Sequence, residues 1–176
     1  MIPESDLVLQ KVTADEIEDL VNISIQTYRD QFEKDNNPED FEAYVKQAFS
    51  KASLIKELEN PDSSFYFAYL GEKLVAYIKL NTKTAQTDIQ EPNAIELQRI
   101  YVYKEFQRKK IGERLVQKIV ANASEKGYDY LWLGVWEHNP NAIRFYERVG
   151  FKAFSSHSFM VGTDEQTDIL MKIIIR

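Results

Sequence analysis

Residues 96–116 restrict the fold more than any other stretch, because they predict a strand, a short basic turn and a helix in direct succession. The strand part is rich in β-branched and aromatic residues, which suit a half-buried sheet surface. After Gly112 the apolar residues recur at helical spacing: Leu115, Val116, Ile119, Val120 and Ala123. A basic turn that leads into a helix N-terminus attracts anions through free N–H groups and the helix dipole. The stretch therefore predicts a phosphate-bearing ligand at residues 107–113.

Composition narrows the class of protein. The 176 residues are 44% hydrophobic and 28% charged, which predicts one globular domain spanning 1–176. The net charge of -6 weighs against nucleic-acid binding, which needs a basic face. The chain has no cysteine and two histidines, which argues against disulfides, an acyl-cysteine intermediate and a metal centre. No apolar run has membrane-spanning length, so we expect a soluble cytoplasmic protein without membrane contact.

The predicted elements follow in the order strand, two helices, three strands, helix, strand, helix and two strands. Thr13 and Glu16 form a predicted capping box before the first helix. Residues 38–59 predict a helical region in two pieces, and residues 82–92 a polar loop without a core pattern. Asn139 and Pro140 predict a helix start, as N-cap and first-turn proline. The order predicts an α/β (α+β) fold with a mixed sheet and helices on both faces.

Two motifs and the element order resemble the GNAT superfamily of acetyl-CoA-dependent N-acetyltransferases over residues 7–175. The turn Gln107-Arg108-Lys109-Lys110-Ile111-Gly112 is similar to the family's pyrophosphate loop, Gln/Arg-x-x-Gly-x-Gly/Ala. Asn139-x-x-Ala142-x-x-Phe145-Tyr146-x-x-x-Gly150-Phe151 is similar to its second signature. The resemblance implies a mostly antiparallel sheet of about seven strands, an acyltransferase, and acetyl-CoA as co-substrate without a metal.

One position departs from the family pattern. Lys110 stands where the family usually has its first glycine. A lysine adds a Cβ, so its backbone is either of an ordinary conformation or strained. Its ammonium group is also placed to reach a phosphate.

The resemblance implies roles for the residues that match the motifs. The pyrophosphate is expected at Gln107, Arg108, Lys109, Lys110, Ile111, Gly112 and Glu113. The pantetheine arm is expected along Ile100, Tyr101 and Val102, as an added strand. The Ile100 N–H would stabilise the oxyanion of the thioester carbonyl. Asn139 and Tyr146 are expected to contact the cofactor from the following helix.

Two residues are catalytic candidates. Tyr146 coincides with the family's motif tyrosine and would act as general acid toward the leaving thiolate; the alternative is a core aromatic. Glu96 lies six residues before Val102, where several family members have a catalytic carboxylate. The alternative is an ordinary glutamate at the strand end that faces solvent. In that case a chain of water molecules would remove the proton of the amine. His138 and His157 are not included in the catalytic set.

The acceptor is predicted from a narrower resemblance. Residues 131–137 and 157–168 resemble the PaiA-like diamine/polyamine acetyltransferases, which implies an acceptor such as spermidine or spermine. The connection of the first helices is acidic and aromatic, which suits a polycation: Tyr28, Asp30, Phe32, Glu33, Asp35, Glu39 and Asp40. Acetylation of a protein or peptide amine and a catalytically idle acetyl-CoA-binding regulatory module stay open as alternatives. The sequence also leaves a homodimer open.

Overall fold

A computed structural model describes residues 6–176 of the chain and has the predicted order of elements. The strands are β1 (Leu7–Lys11), β2 (Ser63–Leu70), β3 (Lys73–Thr82), β4 (Ala94–Val102), β5 (Tyr130–Trp136), β6 (Lys152–Val161) and β7 (Asp164–Ile174). The helices are α1 (Ile17–Phe32), α2 (Pro38–Ala48), α3 (Lys51–Glu59), α4 (Ile111–Glu125) and α5 (Pro140–Arg148). Within residues 6–176 every helix is too short or too polar to span a lipid bilayer.

The strands form a mixed sheet in the order β1-β2-β3-β4-β5-β7-β6. β1 is antiparallel to β2, and β7 is antiparallel to both β5 and β6. β4 is parallel to β5, with pairs from Ala94↔Tyr130 to Glu96↔Trp132. Because parallel neighbours need a crossover connection, α4 lies between them in sequence. The predicted class, a mixed sheet of about seven strands with helices, is confirmed.

The chain divides into two compact units. Among the described residues, the first contains 6–80 together with Arg99–Gly112, and the second contains Asn81–Gln98 and Glu113–Arg176. β3, β4 and α4 each contribute residues to both units. The prediction of one domain over residues 1–176 stays a prediction.

The core of the first unit joins the three N-terminal helices to β2. Leu20 and Ile23 of α1 are fully buried, as are Phe65 and Phe67 of β2. Four apolar side chains of residues 38–59 are also buried, whereas Leu58 of the same helical face is half-buried: Phe41, Val45, Phe49 and Leu54. Each such side chain contributes about 1.5–3 kcal/mol to folding. The helical region at residues 38–59 is divided in two, as predicted, with Ser50 as N-cap of α3.

The second unit has a smaller cluster around Trp132, Ala94 and Leu170. The prediction of a loop without a core pattern at residues 82–92 is wrong at one position. Gln86 is 2% exposed, and its side-chain oxygen accepts from the Trp132 indole N–H at 2.7 Å. Its amide donates to the carbonyls of Lys83 and Glu91. This polar side chain can be buried because all of its hydrogen-bonding groups have partners.

The predicted helix starts are confirmed by their hydrogen bonds. The Thr13 N–H donates to the Glu16 carboxylate at 2.9 Å, which completes half of the capping box. The Asn139 side chain accepts from the Ala142 N–H at 3.2 Å and caps α5. An N-cap of this kind stabilises a helix by about 1 kcal/mol. The second signature motif therefore begins with a residue that has a structural role of its own.

Candidate active site

The turn between β4 and α4 carries the predicted pyrophosphate residues. A 3-10 turn at Lys104–Phe106 begins it, and the Tyr103 N–H donates to the Val75 carbonyl at 2.9 Å. The Gln107 side chain donates to the Val102 carbonyl at 3.1 Å. These bonds fasten the turn to β3 and β4 within the first unit.

Two residues of this turn have a left-handed backbone. Arg108 has φ +61° and Lys110 has φ +59°. This conformation costs a non-glycine residue about 1–2 kcal/mol. The sequence left the backbone of Lys110 open between ordinary and strained, and the structure has the strained form. Lys110 therefore adopts at some cost the conformation that a glycine adopts easily.

The turn exposes both N–H groups and positive charge. The backbone N–H groups of Arg108, Lys109 and Lys110 donate to no group of residues 6–176. All three side chains are exposed, whereas Ile111 is buried and anchors the first turn of α4. Successive N–H groups of this kind, at the start of a helix, form a concave binding site for phosphate oxygens. The residues fit a pyrophosphate group.

The last residues of β4 precede this turn. Ile100, Tyr101 and Val102 are each half-buried. The Tyr101 ring stacks on Tyr77 with centroids 5.8 Å apart and meets Phe32 edge-on at 6.5 Å. Tyr101 thus packs in the first unit, and the contribution of this segment to a ligand would come from its backbone.

Glu96 is buried in the second unit, with 3% exposure. Its carboxylate accepts from the Asn81 amide at 3.0 Å, from the Thr87 N–H at 2.9 Å, and from the Thr87 hydroxyl. The alternative of a solvent-facing glutamate at the strand end is wrong, because the side chain is buried and these donors satisfy the carboxylate internally. A carboxylate has about four lone-pair sites, so one site stays open to a further donor.

Asn139 is the N-cap of α5 and Tyr146 lies on that helix, both in the second unit. The Tyr146 ring contacts Phe145 and Phe151 edge-on, at 5.2 and 5.6 Å between centroids. Its hydroxyl has no hydrogen-bond partner in the described part of the chain. Burial raises the pKa of Tyr146 to about 12, so the phenol keeps its proton at neutral pH. The Tyr146 hydroxyl is therefore available to donate a hydrogen bond to a ligand.

The predicted residues fall into two sets. Ile100–Gly112 are continuous in the first unit, whereas Glu96, Glu113, Asn139 and Tyr146 belong to the second. In the second unit Glu96 lies opposite Trp132 of β5, and α5 follows β5 directly.

Sequence reasoning missed an ion-pair group in the first unit. The terminal nitrogens of Arg99 donate to both oxygens of Glu57, at 2.9 and 3.3 Å. The Lys79 ammonium lies 2.9 Å from the same carboxylate. Burial would raise the pKa of Glu57, but Arg99 and Lys79 outweigh it and hold that pKa below its usual value. A charged residue inside each of two predicted strands was the available signal, since a buried charge needs a partner.

The comparison with known families agrees with this geometry. Residues 17–151 match the family model described as the acetyltransferase (GNAT) family. The chain therefore belongs to the GNAT acetyltransferase family. The predicted enzyme class, an acyltransferase, is confirmed, as is acetyl-CoA as the co-substrate of the family.

Three similar proteins illustrate the likeness. An uncharacterized N-acetyltransferase in the pepI 3' region of Lactobacillus delbrueckii subsp. lactis is 38% identical over 162 residues, covering 92% of this chain and 94% of the relative. The spermidine N(1)-acetyltransferase of Thermoplasma acidophilum is 25% identical over 148 residues, covering 82% and 87%. The crystal structure of the PaiA N-acetyltransferase of T. acidophilum in complex with coenzyme A has a TM-score of 0.77 at 23% identity, covering 96% and 98%. This last likeness shows the fold.

Proposed function

We propose that this protein transfers the acetyl group of acetyl-CoA to a primary amine of a small molecule, by direct attack in a ternary complex. The observation that carries the proposal is the turn at residues 107–110. The N–H groups of residues 108–110 have no partner within residues 6–176, and three exposed cations stand at the same positions directly before α4. Family membership and the coenzyme A complex of the T. acidophilum protein support it.

The turn would hold the two phosphates. The N–H groups of residues 108–113 would donate to phosphate oxygens, while Arg108, Lys109 and Lys110 supply charge. Gln107 would fix the turn through its bond to the Val102 carbonyl. The backbone of Ile100, Tyr101 and Val102 would bind the pantetheine arm as a strand does.

The chemistry would use the Ile100 N–H and the Tyr146 hydroxyl. The amine nitrogen forms a bond to the acyl carbon, the carbon–sulfur bond breaks, the nitrogen loses a proton and the sulfur gains one. The Ile100 N–H would stabilise the negative charge on the acyl oxygen. Tyr146, protonated at neutral pH, would donate to the departing thiolate. Asn139 would contact the pantetheine arm in addition to capping α5.

Glu96 is the proposed base. Its carboxylate already accepts three internal hydrogen bonds, which leaves about one of its four lone-pair sites. That site suits a single water better than a substrate ammonium. We therefore propose that Glu96 accepts the proton of the amine through a water molecule.

A polyamine such as spermidine or spermine is one acceptor that this proposal includes. The name of the T. acidophilum relative supports it, as do the carboxylates around the α1–α2 connection. Two of the carboxylates on these helices, Glu33 and Glu42, are paired with Arg29, which lowers the negative charge available to a polycation. A cytoplasmic location and a homodimer stay predictions.

The test is an assay of thiol release from acetyl-CoA with a panel of polyamines, amino acids, aminoglycosides and peptides. Turnover with at least one small-molecule amine, together with the acetylated product by mass spectrometry, is expected. Turnover confined to peptides would indicate a protein acetyltransferase instead. Tight acetyl-CoA binding without turnover of any amine would favour a regulatory module.

A further inference from the structure

One face of β5 has an open position at Gly134. Because side chains alternate along a strand, Trp132, Gly134 and Trp136 belong to the same face. Trp132 is buried and Trp136 is half-buried, whereas Gly134 between them is exposed. A glycine inside a strand often marks a place where a ligand approaches closely. The two indoles therefore stand on either side of an exposed stretch of backbone.

The Asp168 carboxylate lies beside this open position. Asp168 of β7 is the cross-strand partner of Trp136, and side chains directly opposite each other lie on one face of a sheet. A Cβ built on Gly134 would meet Oδ2 of Asp168 first, at 3.4 Å. The carboxylate thus leans along the strand toward Gly134, on the face that carries the two indoles.

Asp168 has no partner within the described part of the protein. Its carboxylate makes no hydrogen bond and no ion pair with any group of residues 6–176. The side chain is half-buried, and burial raises the pKa of Asp168, although His157 acts in the opposite direction. The indole N–H of Trp136 is also buried without a partner among these residues. A partly desolvated carboxylate without donors is costly, so it calls for a cationic ligand.

The charges around Asp168 are mainly negative. His157 lies opposite Asp168 on β6, and its Nδ1 is 3.2 Å from the carboxylate of Asp88. No lysine or arginine of residues 6–176 pairs with either aspartate. Two carboxylates therefore outnumber one imidazole, in either protonation state of His157. A carboxylate beside the faces of indole rings is a favourable environment for an ammonium group.

We propose that Asp168 binds a second cationic group of the acceptor, between Trp132 and Trp136, so that the acceptor reacts through one amine and is held by another. This inference rests on the proposed acetyl transfer. Glu96, the proposed base, lies opposite Trp132 on β4. Gly134 is two residues further along β5, so its Cα lies about 8 Å from that of Glu96. A diamine with a few methylene groups between its nitrogens would therefore reach both carboxylates.

Asp168 differs in one respect from the carboxylates near the α1–α2 connection. Arg29 pairs there with Glu33 and Glu42, whereas Asp168 has no such cation. Asp168 also belongs to the same unit as the proposed base, Glu96. The preference for a second positive charge is therefore assigned to Asp168.

Matched acceptors test the proposal. Each diamine is compared with the monoamine of the same chain length: putrescine with butylamine and cadaverine with pentylamine, and spermidine is measured beside them. We expect at least one diamine to have a kcat/KM at least about 10-fold higher than that of its monoamine, because a hydrogen bond to a charged group has about that worth. The difference should appear mainly in the KM of the acceptor.

Two variants assign the preference to the site. Asp168→Asn keeps the size of the side chain and should fold normally, because the carboxylate has no internal partner to lose. It should raise the KM of the diamine about 10-fold and leave the monoamine unchanged. Gly134→Ala should also raise the KM of the diamine, because its methyl group fills the open position while Asp168 keeps its charge. Glu165→Gln is the matched control: it removes an exposed carboxylate from the opposite face of β7 and should leave both acceptors unchanged.

Calorimetric binding of each acceptor in the presence of coenzyme A separates the two levels of the proposal. If diamines bind through Asp168 but no acetyl group is transferred, the cation site stands and the proposed function fails. If monoamines react as well as or better than diamines and spermidine, the cation site is overturned and acetyl transfer stands. A diamine preference that survives either variant also overturns the site. The same holds for an equal loss with both acceptors in Asp168→Asn, for an equal effect of Glu165→Gln, and for a lack of binding by every acceptor.

Discussion

Glu96 and Thr87 are joined twice, because the backbone N–H and the hydroxyl of Thr87 both donate to the Glu96 carboxylate. The Asn81 amide donates to the same group and also to Gln98. The loop before β4 is therefore tied to the strand by the residue that we propose as the base. A carboxylate held in this way has a fixed position, which a proton acceptor requires.

Replacing Glu96 by glutamine should reduce turnover by roughly 10²-fold, since a general base contributes on that scale. Wild-type turnover should decline as the pH is lowered, whereas Glu96→Gln should lack this decline if Glu96 is the base. The measurement is the pH profile of kcat with a saturating amine. Thr87→Val is the matched control, because it loosens the same network, lowers stability by about 1–3 kcal/mol, and keeps the carboxylate. Identical profiles for Glu96→Gln and the wild type would show that the base is elsewhere.

The left-handed backbone of Lys110 predicts an unusual response to glycine. Lys110→Gly and Lys110→Ala remove the same ammonium group, so the difference between them reports the backbone alone. At φ +59° the glycine variant should be the more stable by up to about 1 kcal/mol in urea unfolding. Both should raise the KM of acetyl-CoA through loss of a phosphate contact. A glycine variant less stable than the alanine variant would contradict the strained backbone.

Tyr146→Phe should separate catalysis from binding and from stability. We expect kcat to decrease by roughly 10²-fold with little change in the KM of acetyl-CoA. Stability should change by less than about 0.5 kcal/mol, since the hydroxyl has no partner in residues 6–176. Tyr130→Phe is the control in the same unit, because its hydroxyl bonds to Glu91 at 2.8 Å and has no proposed role in the chemistry. If the kcat of Tyr146→Phe equals that of the wild type, the tyrosine has a packing role and no catalytic role.

The sequence predicted those parts of the fold and site that depend on neighbouring residues. The capping of α5 by Asn139, the basic turn before α4 and the order of the elements along the chain are all set by local patterns. A charge inside a predicted strand indicates that Arg99 needs a partner, but the identity of that partner, Glu57, was not predictable because 42 residues separate the two. The same holds for Gln86, whose burial depends on a bond to Trp132, 46 residues later. The left-handed conformation of Lys110 is imposed by the turn and runs against the preference of lysine.

The buried phenol of Tyr77 predicts a loss of stability in alkaline solution. Its pKa is about 12 in the folded protein, above the ordinary value of about 10. The unfolded chain therefore loses this proton first, so the contribution is fully present below pH 10 and declines as the pH rises from about 10 to 12. Between pH 8 and pH 11 the wild type should lose about 1 kcal/mol more stability than Tyr77→Phe. Parallel curves of stability against pH for the two proteins would show that folding does not raise the pKa of this phenol.

Glu57→Gln should be far more destabilising than a comparable change at the surface. The variant leaves the buried cations Arg99 and Lys79 without the carboxylate they share, and such a loss costs about 3–5 kcal/mol. Glu18→Gln is the matched control: Glu18 pairs with Lys51 at 2.6 Å, but the two side chains are 69% and 57% exposed. That pair should contribute less than about 1 kcal/mol, because solvent screens it. Urea unfolding of both variants at two salt concentrations measures the difference. Salt should weaken the surface pair and leave the Glu57 effect nearly unchanged, and equal costs at both positions would contradict a buried ion-pair group.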